Sequence, residues 1–550
     1  MSTYQETRSI SRAVIYKNRK HNNNRYIQTV RLLTKSANKM KGCTSRVLSP
    51  THTLPSVSVP VRELVTAAVC NSRSNKKNLT IKTLNPNLIK LQYAVRGPLV
   101  IRAAEIAKEL EKGVKKPFKR TIYANIGDAQ AMGQNPITYF RQVLSCALNP
   151  ALIKSASYPP DVKDRANELL KSCGGSVGSY TQSTGVEMIR HHVAEYLEQR
   201  DGHPANWQNI CLTQGASTAI KNCLQMLCNS IGGKDSGVLI PIPQYPLYSA
   251  SLAEYGLGQV GYYLDEDKNW GIDVDELERA LKEGSAKYTV RALVVINPGN
   301  PTGQVLTENN MKDILKFAQK HSLFVFADEV YQDNVYATGS KFSSFKKVLV
   351  EMGPPYNEIE LASFMSISKG YMGECGLRGG WMELMNLDVD VQANLYKTIS
   401  AMLCPNTVGH VVLSQARPPK PGDPSHKQWI EEKKSVLNSL KLRATMIVDS
   451  LNKMEGFKCN VVQGAMYAFP RIELPPKAVQ AAEAEGKPAD TFYAFKLLEE
   501  TGICIVPGSG FGQRPGTYHF RTTILPQPEL LQEMLDVFKV FHQNFTKKYS

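Results

Sequence analysis

The sequence lacks a hydrophobic run long enough to span a membrane, and its cysteines lack the spacing of a metal site. Its 550 residues include 11 cysteines, spread from Cys43 to Cys504 without a C-x-x-C pair. No apolar run reaches the roughly 18 residues that a transmembrane helix needs. We therefore expect a soluble protein with no membrane partner, with reduced and mostly buried thiols, and with no bound metal.

Acidic residues are scarce at one end of the chain. Residues 1–104 contain 19 lysines and arginines but only Glu6 and Glu63 as acids, whereas residues 105–550 carry 47 charges of each sign. The formal net charge of +17 therefore comes from the first part of the chain. A basic protein is a candidate for nucleic-acid binding, but the neutral remainder argues against a nucleic-acid partner.

The basic leader, residues 1–80, has the composition of an organelle transit peptide. It is rich in Arg, Lys, Ser, Thr and Asn and almost free of acid. This composition predicts delivery to the mitochondrial matrix. Two other interpretations stay open, a disordered basic tail on a cytoplasmic protein and a plastid address.

Residues 210–326 alternate between short apolar runs and amphipathic helical segments. This alternation predicts an α/β fold with a mostly parallel sheet covered by helices. A proline-rich stretch, residues 416–424, is typical of a domain boundary. We predict a large domain in residues 151–415 and a smaller α+β domain in residues 416–550. The N-terminal arm in residues 81–150 would add part of the small domain.

The string S-I-S-K-G-Y-M-G-E-C-G-L-R, residues 366–378, places Lys369 among small residues after an apolar run. An amine in a confined, partly desolvated pocket loses its proton readily and can form a Schiff base. Ser366 and Arg378, close to the lysine in sequence, suit an anion. Together they indicate pyridoxal 5'-phosphate, with Lys369 at its aldehyde and the other two residues at its phosphate. The alternative is a lysine in a solvated turn.

Two strings follow predicted strands, where ligands bind in a parallel sheet. T-Q-G-A-S-T, residues 213–218, puts the amides of Ala216 and Ser217 at a helix N-terminus, which favours a phosphate. The alternative there is an ordinary capped helix start. P-I-P-Q-Y-P-L-Y, residues 241–248, places Tyr245 where its ring could stack on a flat cofactor. Otherwise Tyr245 is a rim or core tyrosine.

Three later strings supply further polar groups. N-P-G-N-P-T-G, residues 297–303, forms a rigid loop in which Asn300 could donate to a ring oxygen. F-V-F-A-D-E-V-Y-Q, residues 324–332, ends a strand at Asp328, whose carboxylate would keep a pyridine nitrogen protonated, and Tyr331 follows it. Y-H-F-R-T-T-I-L, residues 518–525, places Arg521 on a strand, where it suits an α-carboxylate unless it is a surface arginine.

With these strings in place, residues 82–550 resemble the fold-type I, pyridoxal-phosphate-dependent aminotransferases. The resemblance is carried by long strings such as N-I-G-D-A-Q-A-M-G-Q, V-I-N-P-G-N-P-T-G-Q-V, A-D-E-V-Y-Q-D-N-V-Y and S-K-G-Y-M-G-E-C-G. The lysine-to-arginine spacing is one residue longer than in many relatives, and G-A-S-T replaces their S-G-T. Both departures are expected of the branch that acts on alanine.

The resemblance implies a role for each candidate residue. Lys369, Asp328 and Tyr331 are implied as catalytic, and Arg521, Asn300 and Gly127 as substrate-binding. Cofactor contacts are implied for Ala216, Ser217, Tyr245, Asn300, Asp328, Tyr331, Ser366, Lys369 and Arg378. Tyr180 is similar to the tyrosine that reaches the phosphate of a neighbouring subunit, which implies a homodimer with shared active sites.

The activity implied is reversible transamination of L-alanine and 2-oxoglutarate to pyruvate and L-glutamate. Another aminotransferase of the same fold, acting on glyoxylate or aromatic amino acids, is the alternative. A rival of another class is a nucleic-acid-binding or regulatory protein that keeps the fold without the chemistry, which predicts salt-sensitive binding. The sequence does not identify what binds the second carboxylate of 2-oxoglutarate.

Overall fold

The computed structural model describes residues 77–550, so the predicted leader lies outside the described residues except for residues 77–80. The largest sheet in the described residues has eight strands, and we call it the large sheet. Its strands are β1 (Ile210–Thr213), β2 (Ser230–Ile231), β3 (Lys234–Ile242), β4 (Gly258–Tyr263), β5 (Thr289–Ile296), β6 (Phe324–Asp328), β7 (Leu361–Ser366) and β8 (Gly380–Met385).

Most neighbouring strands of this large sheet are parallel. β4, β3, β5, β6 and β7 lie side by side in that order and run the same way. β8 lies antiparallel between β7 and β1, and its first residue, Gly380, pairs with Ser366 and Thr213 at the ends of those strands. The start of β8 therefore lies at the same edge as the carboxyl ends of the parallel strands. The predicted α/β fold class is confirmed.

The central strands are buried on both faces. β6 and β7 are buried along their whole length, as expected of strands covered by helices on each side. Because side chains alternate along a strand, Phe326 faces one apolar cluster together with Phe364, and Val325 faces another with Leu361. The same short strands therefore contribute apolar side chains to the clusters on both faces of the sheet.

The helices surround the large sheet and cover the C-terminal sheets. In the first half of the described chain they are α1 (Pro86–Lys90), α2 (Pro98–Glu111), α3 (Thr138–Leu148), α4 (Leu152–Ser155), α5 (Pro160–Ser172), α6 (Glu187–Asp201), α7 (Ala216–Gln225), α8 (Leu247–Tyr255) and α9 (Val274–Ser285). In the second half they are α10 (Glu308–Lys320), α11 (Phe345–Met352), α12 (Val389–Ser400), α13 (Thr407–Leu413), α14 (His426–Asn452), α15 (Pro476–Ala484), α16 (Ala489–Thr501) and α17 (Pro528–Tyr549).

Side-chain caps explain where several helices begin. Asp273, Thr307 and Ser344 each precede a helix and accept a hydrogen bond from a backbone N–H of its first turn. The helix capped by Thr307 therefore begins at Glu308, although its first buried apolar residue is Met311. The cap, rather than the first apolar residue, sets the boundary.

Two small sheets lie in the C-terminal part of the chain. β9 (Phe457–Lys458) pairs with β11 (Arg471–Ile472), and β13 (Phe520–Thr523) lies between β10 (Tyr467–Ala468) and β12 (Val506–Pro507). α17 packs on β13 through Phe538, whose ring stacks on Phe520 with centroids 5.4 Å apart. Residues 79–550 form one compact unit, and the domain boundaries predicted near residues 150 and 415 stay predictions.

Some features are absent from the described part of the chain. No helix in residues 77–550 is both long and apolar enough to cross a membrane. The same residues contain no group of three or more His, Cys, Asp or Glu side chains placed to hold a metal ion. Their cysteines are all free, and most of them are buried.

A buried ion pair joins α11 to the large sheet. Lys346 Nζ lies 2.6 Å from Glu383 Oε1 on β8, and the two side chains are 2% and 3% exposed. Glu383 Oε2 has no hydrogen-bond partner within residues 77–550.

Losing the lysine therefore leaves a buried carboxylate without its cation, and we expect Lys346→Met to lower the free energy of unfolding by about 3–5 kcal/mol in urea denaturation.

The matched control for this prediction is Lys316→Met. Lys316 Nζ lies 2.9 Å from Asp313 Oδ1, but both side chains are at least half exposed. We expect this change to cost less than about 1 kcal/mol. Equal losses in the two variants would contradict the role assigned to the buried pair.

Candidate active site

The predicted site residues meet at the edge where the parallel strands end. A cavity of about 390 Å³ opens there. It is lined by every predicted site residue except Tyr180, namely Gly127, Ala216, Ser217, Tyr245, Asn300, Asp328, Tyr331, Ser366, Lys369, Arg378 and Arg521. The common direction of the strands brings these residues together because each strand delivers its following loop to the same edge.

Lys369 follows β7 and is half-buried in the cavity wall. Its Nζ donates to the carbonyl oxygen of Gly127 at 2.8 Å and lies 3.5 Å from the hydroxyl oxygen of Tyr467. Both partners are uncharged oxygens rather than carboxylates. These two contacts hold the amine in one place in the cavity wall.

Asp328 ends β6 with a buried carboxyl group. Tyr248 donates its hydroxyl to Oδ2 at 3.0 Å, while Oδ1 has no hydrogen-bond partner in the described residues. Burial raises the pKa of this carboxyl group to about 6, and the hydrogen bond from Tyr248 opposes part of that rise. The unpaired oxygen can accept a hydrogen bond from an N–H group of a molecule in the cavity.

Asn300 connects the large sheet to Arg521. Its Nδ2 donates to the Tyr331 hydroxyl at 3.4 Å, and its Oδ1 accepts from Arg521 Nη1 at 3.1 Å. Arg521 is 1% exposed, also donates to the Asn125 carbonyl oxygen, and lies with its Cζ 4.1 Å from the centroid of the Tyr467 ring. Arg521 Nε has no hydrogen-bond partner in the part of the chain that the structure describes. Neutral groups thus hold a buried positive charge.

Arg378 lies beside the start of α7, where Ala216 and Ser217 line the cavity. Its Nη1 donates to the Ser368 hydroxyl at 3.1 Å. Gly215 precedes the helix with φ of +93°, and a Cβ there would lie 2.5 Å from Arg378 Nη2. The glycine therefore permits the close approach of the guanidinium group. We call Ala216, Ser217, Ser366, Ser368 and Arg378 the anion cradle.

Ser366 and Tyr245 form two other parts of the wall. Ser366 Oγ accepts from the backbone N–H of Ser368 at 3.1 Å and donates to the Gly379 carbonyl oxygen at 3.4 Å. The Tyr245 hydroxyl lies 3.0 Å from that of Tyr93. Burial raises the pKa of the Tyr245 phenol well above its ordinary value. Its ring is therefore neutral and fixed at one end.

Sequence reasoning missed several residues of the cavity. Tyr467 lines the cavity. Tyr248, which donates to Asp328, stands in the string P-I-P-Q-Y-P-L-Y that was singled out for Tyr245. Their partners, Lys369 and Asp328, are distant in sequence, so no local pattern connects them. Tyr180 lies outside the cavity and is 81% exposed.

Comparison with known proteins gives the class to which the fold and the cavity belong. The family model "Aminotransferase class I and II" matches residues 149–538, which is most of the chain. The chain belongs to this family. A more specific likeness is to alanine aminotransferase 2 of Xenopus laevis, with 52% identity over 514 residues, 92% of this chain and 95% of that protein.

Two other similar proteins extend the comparison. A protein of Dictyostelium discoideum named "Probable alanine aminotransferase, mitochondrial" is 46% identical over 488 residues, 86% of this chain and 91% of that protein. Among solved structures, the alanine aminotransferase of Pyrococcus furiosus has a TM-score of 0.65 at 24% identity and covers 84% of this chain and 100% of its own. At this identity the structural likeness concerns the fold alone, and it agrees with the predicted fold-type I architecture.

Aminotransferases of this family are pyridoxal phosphate enzymes. The residues present fit that cofactor. The unpaired Asp328 Oδ1 suits a protonated ring nitrogen, and the Lys369 amine suits an aldehyde. The anion cradle offers an arginine, three serine hydroxyls and a helix start to a phosphate. Each chemical part of the cofactor therefore has a matching group in one cavity.

Gly127 is a place where a small change should block the cavity. A Cβ at this position would overlap the Tyr467 hydroxyl and lie 2.9 Å from Lys369 Nζ. We expect Gly127→Ala to lower kcat/KM for amino-group transfer by roughly a hundredfold, because displacement of a reacting group by about 1 Å has that effect. Steady-state kinetics would measure it.

Gly376→Ala is the matched control, because a Cβ at Gly376 would meet no atom within 4 Å. We expect its kcat/KM to stay close to that of the wild type. Wild-type kinetics in the Gly127 variant would show that the close approach of Gly127, Tyr467 and Lys369 is not needed for activity.

Proposed function

We propose that this protein catalyses the reversible transfer of an amino group from L-alanine to 2-oxoglutarate, giving pyruvate and L-glutamate. The observation that carries the proposal is one cavity lined by the Lys369 amine, the buried Asp328 carboxyl group and the guanidinium groups of Arg378 and Arg521. The likeness to alanine aminotransferases over most of the chain supports the choice of substrates. No observation favours the alternative donors, glyoxylate-linked or aromatic, over alanine.

The cofactor supplies the electronic part of the chemistry. When bound, pyridoxal phosphate offers an aldehyde to primary amines and a ring that withdraws electrons from the carbon next to the amino nitrogen. Asp328 would hold the ring nitrogen protonated, and Asn300 and Tyr331 would bind the ring hydroxyl. Tyr245 would stack on the ring, and the anion cradle would bind the phosphate. The position of these groups in one cavity supports the proposed roles.

Lys369 is the proposed proton carrier. With the cofactor bound, the neutral amine would remove the proton from the substrate α-carbon and later return it. Its half-buried position and its hydrogen bond to the Gly127 carbonyl oxygen, with the Tyr467 hydroxyl oxygen 3.5 Å away, support this role because they hold the amine in one place.

Arg521 is the proposed anchor of the substrate α-carboxylate. It carries a buried charge with an unpaired Nε and stacks on Tyr467. A carboxylate bound to its planar fork would be fixed in both position and rotation. The bond to the α-hydrogen could then be held perpendicular to the cofactor ring, which favours deprotonation over decarboxylation.

We propose that the enzyme acts as a homodimer in which Tyr180 of each subunit reaches the phosphate in the other. The exposure of Tyr180 and its position outside the cavity of its own chain support this proposal. The shared site would make cofactor binding depend on assembly. Amino acids and 2-oxo acids would be the small-molecule partners.

We propose a mitochondrial matrix location, with the cytoplasm as the alternative. The acid-poor basic composition of residues 1–80 supports an import signal. The name of the Dictyostelium discoideum relative, which includes the word mitochondrial, agrees with it.

Replacing Lys369 tests the proposed function directly. We expect the wild type to convert L-alanine and 2-oxoglutarate in an assay coupled to pyruvate reduction, and Lys369→Ala to lose the absorbance of the lysine-bound cofactor and at least about 10²-fold in kcat. Lys316→Ala, a change at an exposed lysine, should keep both. Turnover of alanine by the lysine-free variant at the normal rate would refute the assignment.

Replacing Arg521 tests the carboxylate anchor. Arg521→Lys keeps the positive charge but loses the planar fork, so we expect KM for both L-alanine and 2-oxoglutarate to rise roughly tenfold or more, the cost of a charge-assisted hydrogen bond. Absorbance of the bound cofactor should be unchanged. A variant with normal KM values and lost cofactor would move Arg521 from the substrate to the cofactor.

A further inference from the structure

Tyr467 is a buried residue of the cavity that contacts both Lys369 and Arg521. It lies on β10 and is 3% exposed. β10 pairs with β13, with Tyr467 opposite Thr523, so the strand that carries Arg521 lies beside the strand that carries Tyr467. The small sheet thus delivers both side chains to the edge of the large sheet.

Tyr467 touches three of the groups assigned above. Its hydroxyl oxygen lies 3.5 Å from Lys369 Nζ and 3.4 Å from the Tyr331 hydroxyl, and its ring lies against the Arg521 guanidinium. Ring and hydroxyl therefore serve different neighbours. The ring supports the arginine, and the hydroxyl faces the lysine amine.

The surroundings of this phenol are strongly positive. Burial raises the pKa of Tyr467, but when Lys369 is protonated its charge and that of Arg521, followed by the hydrogen bond from Tyr331, outweigh burial and hold the pKa of Tyr467 below its ordinary value. A phenol oxygen with increased negative character is a better hydrogen-bond acceptor for an amine. This electrostatic effect agrees with the contact distances.

A neutral primary amine has two N–H donors and one lone pair. At Lys369 the Gly127 carbonyl oxygen and the Tyr467 hydroxyl oxygen are positioned as acceptors for the two N–H groups. We propose that Tyr467 orients the Lys369 amine, so that its lone pair points into the cavity toward the atom with which it reacts. The expected effect of Tyr467 on turnover rests on the proposed function, whereas its expected effect on the orientation of the amine does not.

The step that this orientation serves balances as follows. The Cα–H bond of the substrate would break, its proton would form a new N–H bond on Lys369, and the bound cofactor would accept the electron pair. The same ammonium group later returns the proton. An amine whose lone pair is turned away makes this transfer only after rotation about its Cε–Nζ bond, which adds to the barrier.

The test is Tyr467→Phe, which removes one oxygen and keeps the ring that stacks on Arg521. The first measurement mixes pyridoxal phosphate with the cofactor-free full-length chain and follows imine formation by absorbance. In that step the lysine nitrogen attacks the aldehyde carbon, and water leaves. We expect the rate to fall about tenfold or more, with an unchanged final amplitude. A wild-type rate would overturn the proposal.

The second measurement uses turnover. In the Phe variant we expect kcat with L-alanine to fall about ten- to a hundredfold, KM to stay within twofold, and the isotope effect of α-deuterated alanine on kcat to rise as proton transfer becomes limiting. A raised KM with an unchanged isotope effect would overturn the proposal, because it would show that Tyr467 acts only by supporting Arg521.

Tyr262→Phe is the matched control. Tyr262 is fully buried on β4, donates its hydroxyl to the Val294 carbonyl oxygen at 2.8 Å and lies outside the cavity. We expect wild-type rates from it in both measurements, and equal slowing in both variants would overturn the proposal. If the wild type does not convert alanine but imine formation slows only in the Tyr467 variant, the proposed function fails while the role of Tyr467 is supported.

Discussion

The antiparallel placement of β8 between β7 and β1 is the constraint on which the site depends. It brings the start of β8 to the edge where the parallel strands end, and Arg378, just before β8, arrives beside the helix that follows β1. Gly380 makes this possible, since a Cβ there would lie 2.6 Å from the Met365 carbonyl oxygen and 2.8 Å from the Ala216 nitrogen. Any side chain at Gly380 would push the anion cradle apart.

The cavity is divided between two sheets with different tasks. The large sheet supplies Asp328, Lys369 and the anion cradle, all of which fit parts of the cofactor. The small sheet supplies Arg521 and Tyr467, which line the same cavity and to which the proposals assign the substrate carboxylate and the Lys369 amine. Asn300 hydrogen-bonds to both Arg521 and Tyr331 and so links the two halves. The geometry at Lys369 consequently depends on how the two sheets meet.

The fold and the residues at strand ends could be predicted because their signals are local. The alternation of apolar runs and helical segments was enough to predict a mostly parallel sheet. Asp328 and Lys369 stand out because they are charged residues at the end of, or shortly after, a buried strand. Tyr467 and Tyr248 could not be assigned, because their roles depend on partners brought close only by folding. The helices that follow Thr307 and Asp273 begin where a single side-chain hydrogen bond caps them, and the spacing of apolar residues does not reveal such a bond.

The way in which Arg521 is held has a consequence for selectivity. Its hydrogen-bond partners are an amide oxygen and a backbone carbonyl oxygen, so the chain supplies no counter-ion to this charge at these contacts. Burying an uncompensated cation is costly, and an incoming anion relieves that cost. A carboxylate that binds to Arg521 would supply the counter-ion that these contacts lack. With Arg521 as the proposed carboxylate anchor, simple monocarboxylates would compete for this position whatever their chain carries, and the other residues that line the cavity would discriminate among amino acids.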